Sequence, residues 1–131
     1  MAISAVRNSV AWQKAMELSK AVYEVTRKFP SDERFGLTNQ LRRAAVSVPS
    51  NIAEGRGRLT QGEFLQFLGI ARGSALEVET QLELAITPGF GERTEIEAPQ
   101  LLAVEVGTIL NASIATIRDS VAAKKSLTTN D

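Results

Sequence analysis

Arg42 and Arg43 are neighbours, and Arg56 and Arg58 punctuate the turn Glu54-Gly55-Arg56-Gly57-Arg58. Guanidinium forks of this kind hold phosphate oxygens through paired, charge-assisted hydrogen bonds. The turn runs into Thr60-Gln61-Gly62-Glu63, which has the form of a capping box and predicts the start of a helix. Free N–H groups at that helix start would sit beside Arg56 and Arg58 and favour an anion. The chemistry open to these four arginines is therefore contact with RNA or DNA phosphates. A nucleotide-cradling loop fits less well. Gly55-Arg56-Gly57 lacks a Gly-Lys-Ser/Thr ending and follows no strand pattern, so a helix-to-helix turn is the better reading.

A second polar set points to structure. Ser47, Asn51 and Glu54 follow at spacings of four and three, which places them on one helical stripe. They predict a polar ladder joining helices or subunits. Arg72, Ser74 and Glu77 belong to the same network on the following helix. A hairpin pivoting about Gly57 would bring position 72 near position 43. Arg72 then either joins Arg42 and Arg43 in a basic patch or locks the hairpin through Glu77.

Enzyme chemistry has little to work with. The 131 residues contain no histidine and no cysteine. That removes the commonest general base, the commonest metal ligand and the thiol nucleophile. A di-iron bundle site needs two Glu-x-x-His motifs, which cannot be built here. No serine is paired with a base. The chain is expected to be no enzyme and to need no metal or cofactor.

The elements that must position these residues read as helices. Ala11, Ala15, Leu18, Val22, Val25 and Phe29 recur at spacings of four and three, and Pro30 ends that run. Leu37, Leu41, Ala44, Ala45, Val48 and Ile52 form the second seam, with Thr38 as a candidate N-cap. Pro49 inside it predicts a kink, with Ser47 or Ser50 serving the freed carbonyl. Phe64, Leu68, Ala71, Ala75, Val78, Leu82 and Ala85 form the third. Gly69, Gly73 and Ser74 lie within it, which suggests close approach of another backbone. Ala103, Val106, Leu110, Ile114, Ile117 and Val121 form the fourth, with Thr94 and Glu97 as a second capping box. The expected architecture is all-α: one domain over residues 1–131, an antiparallel up-down-up-down four-helix bundle with a proline-kinked second helix. Its helices span about 9–29, 37–56, 60–87 and 95–124. A loose N-terminus and a disordered tail at 126–131 flank them. No apolar run reaches the roughly 18 residues of a membrane span, so the cytoplasm is the default location.

Net charge is zero but unevenly placed. Met1 to Arg58 holds 10 Lys+Arg against 5 Asp+Glu, and Leu59 to Asp131 holds the reverse. The split suggests a polyanion partner, unless antiparallel helices interleave the two halves and cancel it.

Several motifs are similar to a known family. They are Phe29-Pro30, Glu33-Arg34-Phe35-Gly36-Leu37-Thr38, Gln40-Leu41-Arg42-Arg43-Ala44-Ala45-Val46-Ser47-Val48-Pro49 and Asn51-Ile52-Ala53-Glu54-Gly55, then Arg58, Phe67-Leu68 and Ala71-Arg72-Gly73-Ser74 with Glu77. Together they resemble the four-helix-bundle proteins of 23S rRNA intervening sequences. The likeness covers most of Ala11 to Leu84. Arg56 stands where the family often has an aromatic, which makes the turn more basic. The resemblance implies a bacterial bundle that assembles as a homopentamer and has no catalytic activity. It also implies kinship with the accessory variability proteins of diversity-generating retroelements, which bind nucleic acid and a reverse transcriptase.

Two functions follow. One is an oligomeric protein that binds RNA or DNA, or assists an enzyme that does. The other is a protein–protein interaction scaffold with no nucleic-acid role, which zero net charge favours. The fate of Arg42, Arg43 and Arg72 separates them. If all three are consumed by glutamates, the scaffold is the better reading.

Overall fold

Glycine, proline and capping residues divide the chain into four helices. The computed structural model describes residues 3–129, with side chains as far as 127. After a 3-10 turn at Ile3–Ala5 come α1 (Val10–Thr26), a 3-10 turn at Ser31–Glu33, α2 (Leu37–Arg56), α3 (Gln61–Ile86) and α4 (Arg93–Thr129). The described residues contain no strand. The N-terminus is less loose than expected, because Val6 is buried and the Gln13 side-chain amide donates to the Arg7 carbonyl.

Each helix end has a physical cause. The Ser9 hydroxyl accepts from the Trp12 N–H at 3.3 Å and opens α1. Thr60 does the same for α3, accepting from Glu63 N–H at 3.1 Å. α2 is started differently from the sequence expectation. Thr38 is buried inside the helix, and the Glu33 carboxylate takes the Leu37 N–H at 2.9 Å. α3 closes on Gly89, whose φ of +78° is the left-handed value that glycine tolerates. There Phe90 N–H donates to Ala85 O and Gly89 N–H to Ile86 O, each at 3.0 Å, the paired bonds of a Schellman cap. α4 begins before Thr94, so Thr94 and Glu97 form no capping box and Pro99 lies within the helix. No glycine or proline follows Gly107, so nothing stops α4 at 124. Positions 126–129, expected as tail, continue the helix. The remaining tail residues, Asn130 and Asp131, lie outside the described residues.

The seams meet in one core. Ala11, Ala15, Leu18, Val22 and Val25 of α1 pack with Leu41, Ala45, Val48 and Ile52 of α2, Leu68, Ala71, Val78 and Leu82 of α3, and Val106, Leu110 and Ile114 of α4. Each buried leucine or valine contributes about 1.5–3 kcal/mol relative to exposure. α1 touches α2 and α4, and α3 touches the same two. The pairings run in opposite order along each partner. Gln40 meets Gln81 and Ser47 meets Ser74, while Lys14 meets Glu105 and Lys28 meets Glu95. That is the register of antiparallel neighbours.

α2 passes through Pro49 as one helix. Proline has no N–H, so the Ala45 carbonyl one turn back loses its helical donor. Neither Ser47 nor Ser50 replaces it. The Ser19 hydroxyl, from α1, donates to Ala45 O at 2.9 Å, with Ala15 O at 3.1 Å as its other acceptor. Ser19→Ala is therefore expected to destabilise the fold by about 1–3 kcal/mol in urea unfolding. In a Pro49→Ala background residue 49 regains its N–H, and the cost of losing Ser19 should largely vanish. An equal cost in both backgrounds would refute this account.

α4 differs in one more respect from the sequence reading. By length and composition it is apolar enough to cross a membrane, with mean hydropathy 1.4 over an 18-residue stretch. The sequence reading underrated it because alanine, threonine and glycine break up its apolar runs, yet Glu105 is the one charge between Gln100 and Arg118. Ile96, Ala103, Val106, Leu110 and Ile114 pack in the bundle core, while most of the apolar stretch faces outward from the single chain.

Candidate functional site

Asn39, Arg42, Arg43 and Val46 recur at spacings of three and four, so α2 presents them on one face beside its core seam. That face borders an open groove of about 670 Å³, which Tyr23 of α1 and Arg34 and Phe35 of the preceding connection also line. Among the described residues none of the side chains lining it is acidic.

Arg42 is held in place. Its Nε donates to the buried Thr26 hydroxyl at 2.9 Å, and its guanidinium lies 4.6 Å from the centre of the Tyr23 ring. Thr26 can accept because its own O–H goes to Val22 O at 2.7 Å. The terminal nitrogens of Arg42 have no hydrogen-bond partner among the described residues. Arg43 is exposed and has no partner among them. Arg34 sits over the Phe35 ring at 5.0 Å. Phe35 is 85% exposed. Arg34, Phe35 and Tyr23 were not singled out from the sequence. The signal was there, since Phe35 is the one apolar side chain in an otherwise polar connection and follows an arginine.

Arg56 and Arg58 stand elsewhere. Fourteen residues of helix separate Arg42 from Arg56, roughly 20 Å at 1.5 Å per residue. Arg56 lies over Phe64 at 5.6 Å and Arg58 over Phe67 at 4.5 Å. Arg58 also pairs with Glu54 at 3.0 Å. The turn's arginines thus take their aromatic partners from α3. The four candidate arginines form two sites, one at each end of α2.

The polar stripe joins α2 to α3 at a single point. The Asn51 amide donates to Ser47 O at 2.7 Å and to Ser47 Oγ at 2.9 Å. Ser47 Oγ and Ser74 Oγ bond at 2.9 Å across the helices. Glu54 leaves this stripe for Arg58. Glu77 accepts from Gln81 at 3.1 Å. Arg72 does not join Arg42 and Arg43, nor does it pair with Glu77. Its guanidinium donates to Asn111 Oδ1 at 3.1 Å and ties α3 to α4. The reason is register: Ser47 faces Ser74 and Gln40 faces Gln81, so the hairpin pivots near position 60 instead of 57. Position 72 then lies opposite 49, away from 43.

The uneven charge is partly cancelled. Lys14 lies 3.5 Å from Glu105 and 3.5 Å from Glu17, and Lys28 lies 2.7 Å from Glu95. Glu105 first, then Glu17, raises the Lys14 pKa above its ordinary 10.5. That contribution is complete below 10.5 and is lost as pH rises through the raised value, so it persists at neutral pH. Lys14 of α1 and Lys28 just beyond it are thus matched by acids of α4. Arg34, Arg42 and Arg43 make no ion pair among the described residues. No group of three or more acidic side chains there is gathered to hold a metal ion.

The fold is an all-α, four-helix bundle carrying an arginine-lined groove. The model of the 23S rRNA-intervening sequence protein family matches residues 7–112, and the chain belongs to that family. A solved structure from Bacteroides thetaiotaomicron, described as a protein with unknown function from the S23 ribosomal protein family, shares the fold with a TM-score of 0.75. It is 24% identical, and the match covers 80% of this chain and 98% of that one. None of the curated proteins matches this chain.

Proposed function

We propose that this chain is a non-enzymatic, homo-oligomeric protein that binds the phosphates of RNA or DNA in the cytoplasm, alone or beside a nucleic-acid enzyme. The observation that carries it is the groove of Arg34, Arg42 and Arg43, free of carboxylates among the described residues. The scaffold reading required Arg42, Arg43 and Arg72 to be consumed by glutamates, and none of the three makes an ion pair among the described residues. The kinship with retroelement accessory proteins that the sequence resemblance implies would agree with a polyanion partner. The test is binding of labelled RNA and DNA at low and moderate salt. Affinity should fall steeply with salt, because each phosphate contact releases a counterion. No salt-sensitive binding at micromolar protein would sink the reading and leave the scaffold.

Self-association is part of the same proposal, a pentamer by the family resemblance. Leu76 and Leu84 of α3 and Leu101 and Val104 of α4 are exposed. Beside them Gly69, Gly73 and Gly107 have nothing within 4 Å of where a Cβ would stand. This face sets exposed apolar side chains among Arg72, Glu79 and Glu83 and is able to admit another backbone closely. Light scattering should give a multiple of the 14.2 kDa chain mass, about five-fold for a pentamer. Leu76→Glu with Val104→Glu should reduce it to a single chain. A wild-type monomer at tens of micromolar would refute self-association.

A further inference from the structure

Resting on the phosphate-binding reading, we propose that the groove between α1 and the start of α2 takes single-stranded nucleic acid, with a base stacked on Phe35 and the flanking phosphates on Arg34, Arg42 and Arg43. Phosphates alone do not distinguish single strands from duplexes, since both present them. The aromatic residues do. Phe35 is 85% exposed, in a connection where exposing an aromatic ring would have been easy to avoid by using a polar residue. One guanidinium already covers it, at 5.0 Å, and the rest of the ring is open. Tyr23, 40% exposed, lies on the other side of the groove under Arg42. An open aromatic face beside several cations is the combination that single strands use, because every unpaired base has a face to stack and a phosphate to neutralise. A duplex hides its base faces and would leave Phe35 without a role.

The groove's size agrees. At about 670 Å³ it falls within the roughly 300–1,000 Å³ of small-ligand sites, room for a nucleotide and its neighbouring phosphates. One groove therefore holds little of a strand. Tight binding of long strands would require several copies, whose effective concentration multiplies weak single contacts. An acidic peptide is the less suitable occupant, since it supplies carboxylates without a flat apolar face for Phe35.

The experiment uses the full chain, a labelled 20-nucleotide oligothymidylate and a 20-base-pair duplex, read by fluorescence anisotropy at low and moderate salt. The single strand should bind at least about tenfold more tightly at moderate salt. Phe35→Ala should lose about tenfold in single-strand affinity and little in duplex affinity. Phe35→Trp should restore binding, and its new indole should be quenched by the strand. Phe35 lies outside the core, so circular dichroism should be unchanged in both variants. Equal affinity for strand and duplex, or full single-strand affinity in Phe35→Ala, would overturn the stacking proposal while leaving phosphate binding standing. Failure of the wild type to bind either nucleic acid at low salt would overturn both.

Discussion

Replacing Arg34, Arg42 and Arg43 together by glutamine should lower nucleic-acid affinity about 100-fold at moderate salt. The figure follows from three solvent-accessible guanidinium–phosphate contacts at roughly 1 kcal/mol each, with 1.4 kcal/mol per factor of ten. The salt dependence should change as well. For a single strand each phosphate contact contributes about 0.7 to the slope of log K against log salt, so losing three should flatten it by about 2. The flattening is the sharper result, because loss of fold would abolish binding without leaving a shallower slope. Arg43→Gln is the cleanest single change, since Arg43 has no partner among the described residues. Arg42→Gln also strips the Thr26 hydroxyl of a donor, but Thr26 keeps its bond to Val22 O and should stay satisfied. Arg58→Gln should matter less, because Glu54 already neutralises it in part. A triple variant with an unchanged slope would remove the groove from the binding surface.

Periodicity and punctuation carried most of the fold. Alternating spacings of three and four marked the seams because a buried stripe must recur with the helical period. The Thr60 cap was legible because a helix start needs that residue type with an acid three residues on. What escaped were interactions between distant parts of the chain. Nothing local to Pro49 shows that Ser19, on another helix, serves the Ala45 carbonyl. Glu33 took the cap role expected of Thr38 because the helix starts ahead of Thr38, at Leu37, whose N–H a carboxylate from the preceding turn reaches. The hairpin pivot was misplaced by about three residues, enough to send Arg72 to Asn111 and away from Arg42 and Arg43. Register depends on how two helices interdigitate, and a glycine turn leaves that open. The groove was half legible. Its arginine pair stood out as charge, but Arg34 and Phe35 lay in a connection, where no period reports which side chains share a surface. The small residues of α3 suggested a close backbone, and within one chain Gly69 and Gly73 meet none.

Gly69 is the natural comparison for Gly55, the glycine that α3 crowds. A Cβ on Gly55 would stand 2.9 Å from Phe64 Cδ1 and 3.0 Å from Phe67 Cβ. The Phe64 ring can swing. Phe67 Cβ cannot, because it moves only with the α3 backbone. Alanine gains up to about 1 kcal/mol over glycine in a helix interior. At this position the gain must compete with separating α2 from α3, and overpacking of that kind costs about 1–3 kcal/mol. Gly55→Ala should therefore be net destabilising, and Gly55→Leu more so, by about 3 kcal/mol. The aromatic shelf under Arg56 and Arg58 would shift with it, because Phe64 and Phe67 carry both guanidinium groups. Gly69→Ala meets nothing within 4 Å, so the same change should there stabilise the single chain. Urea unfolding of both variants, at matched protein concentration because assembly couples to stability, reads the two signs directly. If self-association uses the α3–α4 face, Gly69→Ala should also weaken assembly while strengthening the isolated fold. Opposite signs at two glycines of one hairpin would show that Gly55 is required by contact between α2 and α3. A Gly55→Ala protein as stable as the wild type would mean that the close approach at the turn is absent.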